Sequence, residues 1–488
     1  MTTEQQLPKG WEIKRLGDVL KIQNGYAFKS VEFIKENPKN THIPLIRQSQ
    51  LVGNTVDLSD CVFLDKKYLS DKKNYIVNKG DILIGMSGSI GKVSFYEDER
   101  PALLNQRVGK LNLYNHDTFQ KDFFAYLLIN LEQSIIQAAK GMGVQNISSK
   151  DIEQLQIPIP PFDTQQAIVN KIESLFDEID EGISRLKTAA QQIQQYRQSL
   201  LKNAFNGELT KEWRSKHADT LPSENELLAQ IQTAREQHHA QQLADWQTAV
   251  SQWEQNGKEG KKPSKPSTLK KLESIEKLNE IELTELPDGW FWERLGLITL
   301  GVEYGTSAKS QPEGKVPVLR MGNMQNGKID WTDLVYSDND EEIKQYSLKK
   351  GDVLFNRTNS PELVGKTSII ETDEKAIFAG YLIRINHLKE ITDGRYLTYF
   401  LNSMIAKKYG NFVKTDGVNQ SNINGQKLIN YPFVFCSLKE QKEVADILEQ
   451  KLTACDQLAA ELAKQLKQAE LLKQAVLKAA FSGNLLDK

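Results

Sequence analysis

Reactive side chains are scarce in this 488-residue sequence. Cysteine occurs three times, at Cys61, Cys436 and Cys455, never as Cys-x-x-Cys, which excludes a disulfide framework and a zinc ribbon and leaves three thiols expected to be reduced. The six histidines do not fall at metal-ligand spacing; the adjacent pair His238 and His239 lies in a stretch of helical pattern and reads as a solvated face. No G-x-G-x-x-G opens a helix after a strand, so dinucleotide binding has no support. The segment "GMSGSIGKVS" approaches a phosphate loop, but Gly85 and Gly91 stand one residue too far apart, and Val93 fills the Ser/Thr position that would hold magnesium. It reads as a turn between strands. Carboxylates are abundant yet show no paired acid–base signature, so catalysis within the chain is not expected.

Long apolar runs are also missing. None approaches the ~20 residues of a membrane span, and "MTTEQQLPKG" lacks the basic and apolar regions of a signal peptide. A cytoplasmic protein with no membrane partner is expected. Charge of one sign is lacking too: the net is -2, residues 1–160 carry 20 Lys+Arg against 18 Asp+Glu, and residues 288–435 carry 18 against 18. Any nucleic-acid site must then be a local patch, or one completed by a partner that supplies the field.

What is present is a repeat. "LPKGWEIKRLG" at residues 7–17 returns as "LPDGWFWERLG" at 286–296, "IPLIR" as "VPVLR", "KGDILI" as "KGDVLF", "GVQNI" as "GVNQSNI" and "LLKNAFNGEL" as "VLKAAFSGNL". The offset stays between 271 and 279 residues, so a whole domain plus a helix is duplicated in tandem.

Each copy begins with short Val/Ile/Leu runs separated by turn clusters, interrupted by one amphipathic helix ("KDFFAYLLINLEQSIIQAAKG" and "GRYLTYFLNSMIAKKYGNF", both expected to close at Gly). These predict two similar α+β domains, over 1–162 and 286–436. Each copy ends in a long helix, within 163–209 and 437–488. The apolar positions from Ile168 to Ala204, and from Val444 through Leu452, Cys455, Leu458, Leu462, Leu466, Ala469, Leu472 and Val476 to Ala480, fall mostly three or four apart. That spacing puts a narrow seam on one face, and the two helices are natural partners. A helix of ~40 residues is about 60 Å long, enough to hold two domains apart. Between the copies, residues 210–285 form an insert with a helical stretch, Glu224 to Gln255, and a basic linker, "NGKEGKKPSKPS", whose composition predicts disorder.

Polar turns recur in register in both copies. In the first these offer Arg47, Gln48 and Ser49; Ser87, Ser89 and Lys92; Arg107; and Gln145 with Asn146. In the second they offer Arg320 and Asn323; Arg357, Thr358 and Asn359; Lys366; and Asn419, Gln420 and Asn422. Tyr26, Lys29 and Thr306 complete the candidate set. Arg reads guanine, Asn and Gln read adenine, and Ser and Lys contact phosphates, which makes these turns candidate DNA contacts. Loops are polar for blander reasons as well; their recurrence in register is what singles these out.

The doubled "LPxGW…RLG", "KGDILI", the Pro-rich domain end and "LLKNAFNGEL" after a long helix resemble the specificity subunit of type I restriction-modification systems. The resemblance spans almost the whole chain except the insert. It implies two target recognition domains, each reading half of a split sequence in double-stranded DNA, separated by two long helices that form an antiparallel coiled coil. It implies two modification (methyltransferase) subunits as partners, bringing S-adenosylmethionine, and restriction subunits bringing ATP-driven translocation and cleavage with Mg, with no cofactor in this chain. The alternatives are a coiled-coil adaptor without base readout, and the specificity part of a fused restriction enzyme, for which no methyltransferase or nuclease motif is found.

Overall fold

The computed structural model describes residues 8–36, 41–115, 117–141, 146–260, 262–266, 275 and 283–486. The chain divides into two compact units, Met1–Thr188 with Leu462–Lys488, and Ala189–Glu461.

In the first unit the opening strand Glu12–Arg15 pairs antiparallel with the last strand, Gln156–Ile159, which ties the domain's two ends together. The run "KGDILI" forms the strand Ile82–Gly85, and it is apolar throughout because both of its faces are covered. Ile82 and Ile84 enter a core with Phe123, Phe124, Leu127 and Leu128 of helix Lys121–Gly141, while Leu83 enters a second core with Ile46, Val77, Tyr96 and Leu104. Alternation with period two does this. In the second unit "KGDVLF" repeats the device: Val353 and Phe355 face the helix-side core and Leu354 the other. The second unit's amphipathic stretch differs from expectation. It is two helices, Gly394–Leu401 and Met404–Val413, because Ser403 caps the second and the Asn402 side chain donates to the carbonyl of Thr367 (2.8 Å); the second helix then runs past Gly410 instead of stopping there.

The two long helices are Phe162–Phe205 and Leu438–Phe481. In the first unit, Ile168, Val169 and Ile172 from the start of one join Val476, Leu477, Ala480 and Phe481 from the end of the other in a single core. In the second unit, Leu200, Ala204 and Phe205 from the end of the first join Val444 and Leu448 from the start of the second. Within each unit the helices therefore run in opposite directions.

The seam needs correction at two places. Leu458 and Leu472 are 57% and 52% exposed, and the neighbouring Ala459 and Lys473 are the half-buried residues instead. A 3-4-3-4 seam passes from Cys455 through Ala459 to Leu462, and from Ala469 through Lys473 to Val476. Lys473 suits a seam position because its stem spans the contact, its ammonium lies 4.9 Å from the Phe176 ring, and Asp180 accepts from it (2.6 Å). In the second unit Arg197 occupies such a position and pairs with Asp456.

The doubled Pro-Gly-Trp turn finds its reason here. In the first unit the backbone of Trp11 donates to Pro8 (3.1 Å), and Pro8 sits against Gly483, where a Cβ would lie 2.1 Å from the proline ring. In the second unit Trp290 donates to Pro287 (3.0 Å), and Pro287 sits against Gly207. Gly207 and Gly483 have positive φ, 80° and 82°, and end the long helices. Each domain's opening turn thus docks on the end of the helix that follows the other domain.

Of the insert, helix Glu224–Gln255 begins at the Ser223 cap and packs Leu227 and Ile231 into the second unit's core, where Arg235 donates to the carbonyls of Gly296 (2.8 Å) and Leu297 (2.7 Å). Farther along, the Trp246 and Trp253 indoles donate to the carbonyls of Pro263 (3.1 Å) and Gly260 (3.2 Å), so the described part of the basic linker lies back along this helix.

Candidate nucleic-acid interface

In the first unit several turns arrive at one edge. The strand Ile43–Ile46 ends in a 3-10 turn, Gln48–Gln50, closed by the buried Gln50 side chain accepting from the Arg47 backbone (3.2 Å). The strand Ile82–Gly85 leads into a turn in which the Ser89 hydroxyl donates to the Gln48 carbonyl (3.1 Å) and Gly88, at φ 69°, leaves room for the Gln48 side chain. Asn146 bridges Ser87, and Ile147 donates to the Met86 carbonyl (2.9 Å). Met86 in turn donates to the carbonyl of Arg107 (3.1 Å), and Tyr26 bridges Asn105. Tyr26, Arg47, Gln48, Ser49, Ser87, Ser89, Arg107 and Asn146 are thereby brought together. Lys92 is half-buried where that turn re-enters the sheet, Lys29 is exposed at the start of the neighbouring turn Ser30–Glu32, and Gln145 lies outside the described residues.

The second unit builds the same edge with different side chains. Arg357 donates from its backbone to the Tyr381 carbonyl (3.0 Å) and accepts from Ile423 (2.9 Å), matching Met86 with Arg107 and Ile147. Strands Thr358–Asn359, Ser421–Asn422 and Thr415–Asp416 form a small sheet that carries the exposed tip with Asn419 and Gln420, and Asn422 donates to the Thr358 hydroxyl (2.7 Å). Lys366 is half-buried at the equivalent of Lys92.

Two candidates turn inward. Asn323, 3% exposed, accepts from the Arg320 backbone (2.8 Å) and donates to the carbonyls of Asp330 and Asp333, so its amide is fully occupied. It closes the turn as Gln50 does in the first copy. Thr306, 4% exposed, donates to Glu342 (2.8 Å) and accepts from Ala308 (3.0 Å). Neither has a group left to present outward. Arg320 is half-exposed but already pairs with Asp333 (3.0 Å).

Several polar atoms on these edges are buried without a partner: Nε of Arg47, Oε1 of Gln48, Nδ2 of Asn356 and Nε of Arg357. Each such group costs about 1–3 kcal/mol, a strain tolerable where a ligand or water completes the bonding. Sequence reading missed three residues. Tyr381, 51% exposed, stands where the first copy has Arg107; Val418 at the tip is fully exposed; and Tyr304 lies under the Arg357 guanidinium (4.9 Å), its hydroxyl accepting from Gly425 (2.8 Å). Only the positional equivalence of "NQR" and "AGY" could have flagged Tyr381, and those triplets share no letter. Among the described residues no His/Cys/Asp/Glu group could hold a metal ion, and no helix is long and apolar enough to cross a membrane.

Comparison with known proteins adds independent findings. The family model for the type I restriction modification DNA specificity domain matches residues 8–187 and 304–468. Similar curated proteins include the type I restriction enzyme EcoKI specificity subunit of Escherichia coli K12, 24% identical over 98% of this chain and 90% of its own length. The EcoBI specificity subunit of Escherichia coli is 25% identical over 97% and 86%. A chain solved for the complex assembly and conformational transition of the type I R-M system shares the fold, with a TM-score of 0.64 at 16% identity, covering 98% of this chain and 100% of that one. With two equivalent polar edges on two copies of one domain, and a family match to both copies, the chain belongs to the type I restriction-modification DNA specificity family.

Proposed function

We propose that this chain reads a bipartite target in double-stranded DNA and directs the methyltransferase and endonuclease subunits of a type I restriction-modification complex to it, while performing no chemistry itself. The observation that carries the reading is the pair of equivalent edges: one backbone framework, repeated in register, presents Gln48, Ser87, Arg107 and Asn146 in one copy and Arg357, Thr358, Asn359, Gln420 and Asn422 in the other. An invariant frame with variable tips is what two readers of different half-sites require. A single domain with a few base contacts at ~1–3 kcal/mol each discriminates poorly against a genome of competing sites; two linked readers multiply the discrimination, the second binding at high effective concentration.

The long helices suit a spacer because each contributes side chains to the core of both units. The near-neutral charge of each domain fits a division of labour in which two modification subunits close on the DNA and supply much of the phosphate-binding field. S-adenosylmethionine, ATP and Mg are assigned to the modification and restriction subunits.

The test is methylation-site mapping with the reconstituted complex. A single split motif is expected, and exchanging residues 10–160 for another recognition domain should alter one half of it. If both halves change, or if the chain without partners methylates DNA, the reading fails. The adaptor alternative predicts methylation that is indifferent to the exchange.

A further inference from the structure

The two copies carry opposite charge at one equivalent place, beside the edge described above. In the first unit the strand Val62–Leu64 is followed by "DKKYLSDKK", residues 65–73, with four lysines and two aspartates. Lys66, Lys67 and Lys73 are exposed and Lys72 is half-buried; among the described residues none of the four forms a salt bridge, although the Lys67 ammonium lies 5.4 Å from the Tyr68 ring and its charge reaches Glu32. The second unit has "DNDEEIKQY", residues 338–346, in this place, with one lysine and four acidic residues.

Packing connects this segment to the edge. The Tyr68 ring lies 5.4 Å from Phe28, Tyr75 lies 5.4 Å from Tyr26, and the Lys72 ammonium sits 3.9 Å over Tyr26. Tyr68 donates to Glu32 (2.6 Å), a bond that pushes its own pKa up to about 12 and clamps the segment in place. The Tyr26 backbone donates to the Leu104 carbonyl (2.8 Å) and accepts from Gln106 (3.1 Å), which ties the ring under Lys72 to the strand end that leads into Arg107. In the second unit Thr306 makes the bridge that Tyr26 makes in the first, and Glu342 accepts from its hydroxyl. A carboxylate thus stands where the first unit has an ammonium.

We infer that the Lys66–Lys73 segment is a phosphate-binding surface for the DNA backbone flanking the first half-site, and that the second recognition domain has no counterpart to it. The inference rests on the function proposed above and deepens it. Three exposed ammonium groups that form no salt bridge can meet phosphates at little desolvation cost, and lysine, as a point charge on a flexible stem, tolerates imprecise geometry. The first domain as a whole is nearly neutral, so this is charge concentrated at one edge and offset elsewhere. The electrostatic part of the encounter with DNA is then carried asymmetrically, through the first domain, while the second depends more on base contacts and on its partner subunits.

The experiment uses the full complex with modification subunits and a duplex containing the mapped target. Lys66→Gln, Lys67→Gln and Lys73→Gln are combined; Lys72 is left intact because it packs on Tyr26. Each lost phosphate contact should reduce the slope of log K against log salt by about 0.9, so a reduction of roughly 2 to 3 is expected, with at least a tenfold weaker binding near ~0.2 M salt. The methylated motif and the melting temperature should not change. A slope equal to wild type overturns the inference. So does an altered first half-site, which would make these lysines base readers, or impaired subunit assembly with the DNA slope unchanged, which would make this a protein contact. If the wild-type complex itself shows no sequence-specific binding, the function proposed above has failed instead, and the two failures are distinguishable.

Discussion

At the scale of single residues, the proposed function makes Arg357 a candidate base reader. Its guanidinium lies over Tyr304, one nitrogen donates to Gly380 (3.3 Å), and Nε has no partner. Preorganisation of this kind lowers the entropy lost on binding, and the fork geometry suits guanine. Arg357→Gln should cost about 1–3 kcal/mol on the native site and relax specificity at one position of one half-site, as read by methylation mapping; uniform weakening across sequences would mark a phosphate contact. His387 makes a different prediction. Burial holds its pKa below the ordinary 6.5, so the folded chain keeps it neutral where the unfolded chain takes up a proton. Stability from this group is present above about pH 6.5 and is lost as pH falls toward the lowered folded value. The melting temperature of the wild type should therefore decline as pH falls below about 6.5, and His387→Gln should flatten part of that decline.

At the scale of elements, the ends of the long helices hold the design together. Phe205 is fully buried, with Tyr396 and Phe400 edge-on at 5.3 and 5.0 Å. Phe205→Ala should cost about 3–5 kcal/mol and loosen the helix end from the second domain, seen as a lower melting temperature and faster amide exchange near residues 200–205. Gly483→Val meets the Pro8 ring and a positive φ together, and should unseat the opening turn of the first domain. Gly182→Ala, with nothing near its Cβ and ordinary helical φ, should instead stabilise slightly, and this pair of variants separates a docking glycine from an incidental one.

At the scale of the whole molecule, the proposed mechanism is two readers on a ruler. Adding four residues to both long helices moves a domain by about 6 Å, nearly two base-pair steps of ~3.4 Å. The expected outcome is a longer unread gap between unchanged half-sites, measured by methylation mapping of the altered complex. A gap that stays the same length would remove the ruler from the mechanism.

Much of this protein is legible in its sequence, because duplication is visible wherever the framework needs particular residues. Pro8 and Pro287, Gly207 and Gly483, and the strands at Ile82 and Val353 recur because a turn, a helix stop and a doubly covered strand each tolerate few alternatives. From these the two α+β domains, the long helices and the family resemblance follow without coordinates. Tertiary structure decided the rest. An apolar letter does not say which of two adjacent residues enters a seam, so Ala459 and Lys473 displaced Leu458 and Leu472 only once the helix phase was known. A polar letter does not say whether its hydrogen bonds are already used, so Asn323 and Thr306 closed turns while Tyr381, with no matching letter in the first copy, faced outward. Local pattern constrains what the backbone can do, but the direction and occupancy of a side chain are set by residues far away in the chain, and these only the folded structure brings together.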